Sequence, residues 1–113
     1  MSTPNLPEID VAEAARRLQS GQVLMLDVRE DDEWAAGCAP DATHMALSEL
    51  RPAQVPTDRP VITMCRAGNR SGKAALELAA VGVDVTNIAG GMKAWEAAGL
   101  PVITEGRAPG VVQ

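Results

Sequence analysis

Phenylalanine and tyrosine are absent from this chain, and two tryptophans, Trp34 and Trp95, are its only large aromatic rings. A core must therefore be built from Val, Leu, Ile, Met and Ala, and 46% of the 113 residues are apolar. That is enough for one domain and too short for two. Histidine occurs once and cysteine twice. There is no CxxC pair, no His cluster and no EF-hand loop, so the sequence supports neither a metal site nor a disulfide scaffold. No cofactor is expected. No apolar run approaches the length of a membrane span. The opening Met-Ser-Thr-Pro-Asn-Leu-Pro-Glu has neither the basic nor the apolar region of a secretory leader. A cytoplasmic location is expected. Positive charge is also in deficit, with 10 Lys and Arg against 15 Asp and Glu and a net charge of −5. Nonspecific nucleic-acid binding is excluded on that balance, because neutralising phosphates needs clustered bases.

The few bases that are present do cluster. Arg66, Arg70 and Lys73 fall within eight residues of one another. They follow the apolar, β-branched run Val61-Ile62-Thr63-Met64, which reads as a buried strand closed by Cys65. Next comes Cys65-Arg66-Ala67-Gly68-Asn69-Arg70-Ser71, then Gly72 to Val81, which reads as a helix. Cys65 is thus set between a strand end and a helix start. Loop N–H groups converge at such a place, the helix dipole favours negative charge, and two nearby arginines add positive potential. All three favour a thiolate. A lone cysteine in an apolar strand is more often a small buried hydrophobe. Arg66, Gly68, Asn69, Arg70 and Ser71 tip the balance to function, since they pack poorly but serve loops, caps and anions. A small anionic ligand is expected in preference to a polyanion.

Along the chain, Asp10 caps a helix that ends before Gly21, with Glu13 three residues on as in a capping box. Val23 to Val28 reads as a buried strand, Glu30 to Ala36 as a short helix with an acidic first turn, and Thr43 to Ala46 as a short strand. Ser48 to about Ala53 reads as a short helix or turn, and the Pro56–Pro60 region as a surface loop. Val83 to Ile88 is a further strand. Gly91 to Ala98 is a helix stopped by Gly99. Strands alternating with helices predict an α/β fold, a mostly parallel central sheet with helices on both faces. In such sheets ligands bind beyond the carboxyl ends of the strands. Three of those ends carry unusual residues: Asp27-Val28-Arg29, Cys65 with its loop, and Gly90-Gly91.

Four blocks together make the chain resemble the rhodanese family of sulfurtransferase domains. They are Val23 to Glu30, Gly37 to Leu50, Cys65 to Ser71, and Ile88 to Trp95 running on to Gly99-Leu100-Pro101-Val102. The resemblance implies a single rhodanese-like domain over 8–104, with 105–113 expected as a mobile tail. It further implies that Cys65 takes a sulfane sulfur from a donor such as thiosulfate, becomes a persulfide, and passes the sulfur to cyanide, a small thiol or a protein thiol. Arg66, Ala67, Gly68, Asn69, Arg70 and Ser71 would form the cradle, with Arg66 and Arg70 candidates to hold departing sulfite. Arg66 directly after the nucleophile resembles thiosulfate-using members. Arg70 has an alternative role, pairing with Asp27 or Glu30 to hold the loop. Ser71 reads as an N-cap rather than a catalyst, and Lys73 equally as a solvated residue. Asp27 and Arg29 resemble the family's Asp-x-Arg strand end, where internal pairing braces the site.

The spacing from Cys65 to Arg70 is C-x4-R. Tyrosine and dual-specificity phosphatases, which share the loop logic, use C-x5-R to surround a phosphate. The shorter loop favours a terminal sulfur. The chain departs from the family at Gly37-Cys38-Ala39-Pro40-Asp41-Ala42, where the usual pattern is Gly-His-Ile-Pro-Gly-Ala. Cys38 reads as a buried apolar residue or, alternatively, as a second thiol that resolves the persulfide. His44 is left outside the site, since an ionised thiol needs no base. A non-catalytic binding or redox-sensing module and a related phosphatase or arsenate reductase remain as rival functions.

Overall fold

The computed structural model describes residues 7–113. The expectation that the chain opens without a leader falls mainly on residues 1–6, outside this range. Five strands form one sheet in the order β1-β5-β4-β2-β3, with every pair parallel. They are β1 Glu8–Ile9, β2 Leu24–Asp27, β3 Thr43–His44, β4 Val61–Met64 and β5 Val85–Ile88. The helices are α1 Val11–Gln19, α2 Asp31–Ala36, α3 Asn69–Ala80 and α4 Gly91–Ala97, with short 3-10 turns at Leu47–Glu49 and Pro52–Gln54.

Strand periodicity divides the core in two. Val23, Met25, Ile62, Met64 and Ile88 point to one face and pack with Val11, Ala14 and Ala15 of α1 and Met92 and Trp95 of α4. Leu24, Leu26, Val28, Val61 and Val85 point to the other, under Ala74, Ala75 and Leu78 of α3 and Leu50 and Val55 from the 3-10 region. Because successive residues of a strand alternate faces, Cys65 follows Val61 and Thr63 onto the α3 side. In place of Phe and Tyr the core is filled by Leu, Ile, Val, Met and Ala, and Trp95 is the one buried aromatic ring.

Local sequence signals correspond well with these elements. Asp10 caps α1 by accepting the Glu13 N–H at 2.9 Å. Glu13 itself turns to Arg16 and Arg17 instead of completing a capping box. Strand β1 has no counterpart in the sequence reading. It is two residues long, and its place depends wholly on the edge of β5. Helix α3 begins at Asn69, three residues earlier than its apolar periodicity indicates, because Gly68 turns the chain into the helix at φ 106°. Ser71 is therefore the third residue of α3 and not its cap.

The last segment, expected as a mobile tail, is hydrogen-bonded to the rest of the domain in this structure. Cys38 and Ile103 exchange backbone hydrogen bonds of 2.7 and 2.9 Å, Gly110 N–H donates to Val102 O, and Val111 N–H donates to Ala36 O. Val112 packs against the α1/α4 core cluster. Residues 105–113 show neither strand nor helix periodicity, so the sequence held no signal for this arrangement. No helix among the described residues is long and apolar enough to cross a membrane.

Candidate active site

The chain leaves β2 toward β3 on one side and leaves β4 toward β5 on the other. The connections after β2 and β4 thus run in opposite directions, the arrangement at which ligand sites form beyond the carboxyl edge of such sheets. Cys65 is the first residue beyond β4 and is 1% exposed. Its Sγ accepts the Gly68 N–H at 3.0 Å. The Ser71 hydroxyl lies 3.3 Å from the sulfur and 3.2 Å from Gly68 O, so its one proton can serve either. Burial pushes the thiol up, but hydrogen bonds from the Ser71 hydroxyl and from the N–H groups of Ser71, Gly68 and Ala67 outweigh it and hold the thiol below its ordinary value.

The rear of the loop is tied down twice. Asn87, at an inward position of β5, donates from Nδ2 to Gly68 O at 3.2 Å and to Glu8 Oε2 at 2.9 Å, while Thr63 Oγ1 donates to Asn87 Oδ1 at 3.1 Å. The first turn of α4 supplies the second tie: Met92 N–H donates to Cys65 O at 2.8 Å and Lys93 N–H to Arg66 O at 3.0 Å. This approach explains Gly91. A Cβ there would overlap Cys65 O and lie 2.6 Å from Arg66 O. Asn87 and Glu8 were missed in the sequence. The available signal was a polar residue at an inward position of an apolar strand, which must find partners when buried.

The arginines are placed differently from the sequence expectation. Arg66 is exposed, and its Nε donates to Gln113 O at 2.6 Å. Arg70 pairs with neither Asp27 nor Glu30. Its two terminal nitrogens grip both carboxylate oxygens of Glu33, at 2.6 and 2.8 Å. The reason is geometric: Asp27 is already taken by Arg29, and α2 turns Glu33 toward α3. The bidentate hydrogen bond from Arg70 holds the Glu33 carboxyl down at about 2, and the same bond raises Arg70. Hence the lowered Cys65 thiol owes its shift first to hydrogen bonds from Ser71 and the loop, with the charge of the Glu33-paired Arg70 a lesser contribution.

Asp27 and Arg29 are fully buried and joined by three side-chain hydrogen bonds of 2.7 to 3.1 Å, with the Arg29 N–H donating a fourth to Asp27 Oδ1. Arg29 also donates to Glu33 O at 3.2 Å and Gly37 O at 2.8 Å. A buried guanidinium needs every one of these partners, and in satisfying it α2 is clamped to the end of β2. Lys73 is exposed on α3. Ala67 and Asn69 are also exposed. Cys38 is buried and free; burial first, and the Asp27 charge second, push its thiol up. His44 stacks on Trp34 with centroids 4.9 Å apart, and its Nε2 lies 2.7 Å from Arg29 O.

Comparison with known proteins converges on the same frame. A rhodanese-like domain profile matches residues 10–98. A sulfurtransferase of Allochromatium vinosum is 39% identical over 100 residues, covering 85% of this chain and 94% of the relative. The uncharacterized Synechocystis protein slr1261 is 36% identical over 94 residues, covering 80% of this chain but only 52% of its own length. The chain thus spans about half of that relative. The crystal structure of a rhodanese-related protein from Thermoplasma volcanium superposes with a TM-score of 0.82 at 28% identity, covering 88% of this chain and 99% of that one. The matched span runs from the start of α1 through α4 and takes in the whole Cys65 loop and most of the elements that hold it, so the chain belongs to the rhodanese-like domain family.

Proposed function

We propose that this protein is a sulfurtransferase that carries a sulfane sulfur on Cys65, with thiosulfate as the first donor to consider and cyanide or a thiol as acceptor. The observation that carries the reading is the Cys65 sulfur itself, which accepts the Gly68 N–H at 3.0 Å and faces the Ser71 hydroxyl at 3.3 Å at the start of α3. Donors aimed at sulfur stabilise the thiolate and, after loading, the anionic outer sulfur of a persulfide.

In the first step the Cys65 thiolate attacks the outer sulfur of thiosulfate. A new S–S bond forms, the bond to the sulfonate sulfur breaks, and sulfite leaves with that electron pair. Arg66, exposed at the loop, is the cation best placed to steady sulfite by charge-assisted hydrogen bonding. In the second step the acceptor attacks the outer persulfide sulfur, and the Cys65 thiolate departs as the leaving group. Cyanide becomes thiocyanate, and a thiolate becomes a persulfide. No general base is needed at either step. The burial of Cys65 supports a small donor that presents one narrow sulfur atom. A sulfurtransferase relative at 39% identity supports the same class.

Intact mass spectrometry tests this. The protein treated with thiosulfate should gain one sulfur atom on Cys65, and cyanide should remove it with release of thiocyanate. Cys65→Ser should abolish both events, whereas Cys38→Ser should keep most of the transfer. Absence of any sulfur adduct in folded protein would refute the reading. Loss of transfer in folded Cys38→Ser would instead assign the second thiol a part in the cycle.

A further inference from the structure

We propose that Glu33 sets the anion preference of the Cys65 loop by withholding the Arg70 guanidinium from it. The proposal rests on the reading of that loop as an anion cradle. Arg70 is the second residue of α3, directly before Ser71, whose hydroxyl reaches the Cys65 sulfur. Its guanidinium also lies near enough to feel the charge on that sulfur. An unrestrained arginine at this position would be drawn to any anion in the cradle. It is restrained: both terminal nitrogens are bound by the Glu33 carboxylate.

Glu33 cannot follow Arg70 toward the Cys65 loop. Its Oε1 also accepts the Glu30 N–H at 3.0 Å, across the first turn of α2. Its own carbonyl accepts from the fully buried Arg29, which grips Gly37 O as well. The carboxylate is thus fixed to a helix that is fixed to the sheet. A neutral ion pair stands where a free cation would otherwise face the ligand.

The consequence is selectivity. The outer sulfur of a persulfide is a single atom with one negative charge, and loop N–H donors suffice for it. A tetrahedral oxyanion such as sulfate, phosphate or arsenate spreads two charges over several oxygens and gains most from a planar fork of donors. With Arg70 held back, the cradle lacks that fork. Glu33 is accordingly a specificity-determining residue that biases the loop toward sulfur and away from bound oxyanions.

The test does not require sulfur transfer. Iodoacetamide alkylation of Cys65, followed by peptide mass, is slowed by an anion in the cradle, and inorganic sulfate is the probe. Glu33→Gln should strengthen sulfate protection about tenfold relative to the parent protein, the scale of one gained charge-assisted contact. The neutral double variant Glu33→Gln/Arg70→Gln should return to within about twofold of the parent, since Arg70 contributes nothing to the anion while paired. Circular dichroism verifies folding, and the double variant reports on its own should the single one not fold. Unchanged or weaker protection in folded Glu33→Gln would overturn the proposal. So would a double variant about tenfold weaker than the parent, because Arg70 would then already serve the anion. If sulfate protection behaves as expected while no variant loads sulfur from thiosulfate, the role of Glu33 stands and the sulfurtransferase reading falls.

Discussion

A buried thiol ionises with difficulty, because a surrounding of low polarity disfavours the thiolate. Cys65 is 1% exposed, yet its thiol sits below the ordinary value. The compensation comes from one hydroxyl and a few N–H groups. Ser71→Ala removes the hydroxyl while leaving the N–H donors in place. The midpoint of Cys65 alkylation against pH should therefore rise by about one unit, with about tenfold less thiolate at any pH below it. The sign follows from linkage: losing a donor to the charged form destabilises that form and moves its appearance to higher pH. Substituting Arg66 or Arg70 by Gln should move the midpoint less. A greater shift in the arginine variants than in Ser71→Ala would return the main role to charge. The sequence pointed to a depressed thiol but assigned much of the cause to arginines. Adjacency in the chain places a guanidinium's stem, and its partner decides where the charge goes.

At the scale of elements, the helix that continues the loop and two pieces remote from it in sequence hold it in place. Helix α3 supplies the Ser71 hydroxyl to the sulfur, α4 supplies N–H groups to the carbonyls of Cys65 and Arg66, and β5 supplies Asn87. The fit between α4 and the loop is close enough that only a residue without Cβ suits position 91. Gly91 also has φ 58°, which adds a conformational cost for any other residue. Gly91→Ala should lower unfolding stability by about 1–3 kcal/mol in urea titrations, as overpacking against backbone does. It should also slow sulfur loading at Cys65 in the fraction that stays folded. A variant with parental stability and loading would mean that α4 yields without disturbing the loop. The paired glycines were visible in the sequence as an unusual strand end. Their purpose was not, because the atoms they make room for belong to a loop more than 20 residues earlier.

For the molecule as a whole, the segment beyond α4 closes the structure. It bridges to Cys38, reaches Ala36 through Val111, and brings Gln113 O to Arg66. Trp34 Nε1 donates to Glu105 Oε1 at 2.8 Å, so the same segment also steadies the helix that carries Glu33. Removing 105–113 should lower the melting temperature by about 5 °C or more, corresponding to at least about 1 kcal/mol in a domain of this size. A calorimetric scan checks this. An unchanged melting temperature would support a domain ending at residue 104 with a dispensable extension.

What the sequence alone determined is what depends on neighbours along the chain. Strand periodicity in 61–64 and 24–27, the Asp10 cap and the glycines after the helices specify the alternating strands and helices. That alternation brings the ends of Asp27, Cys65 and Ile88 to one edge. The C-x4-R loop between strand and helix marks the candidate nucleophile by the same local logic. Tertiary structure alone decided which charges meet. Glu33 and Arg70 are 37 residues apart, and Asn87 and Glu8 are 79 apart. Each pair forms only because the strand order β1-β5-β4-β2-β3 sets their elements side by side. A side chain carries its chemistry in the sequence, but its partner is chosen by distance in space, and buried or half-buried charges accept the nearest group able to satisfy them.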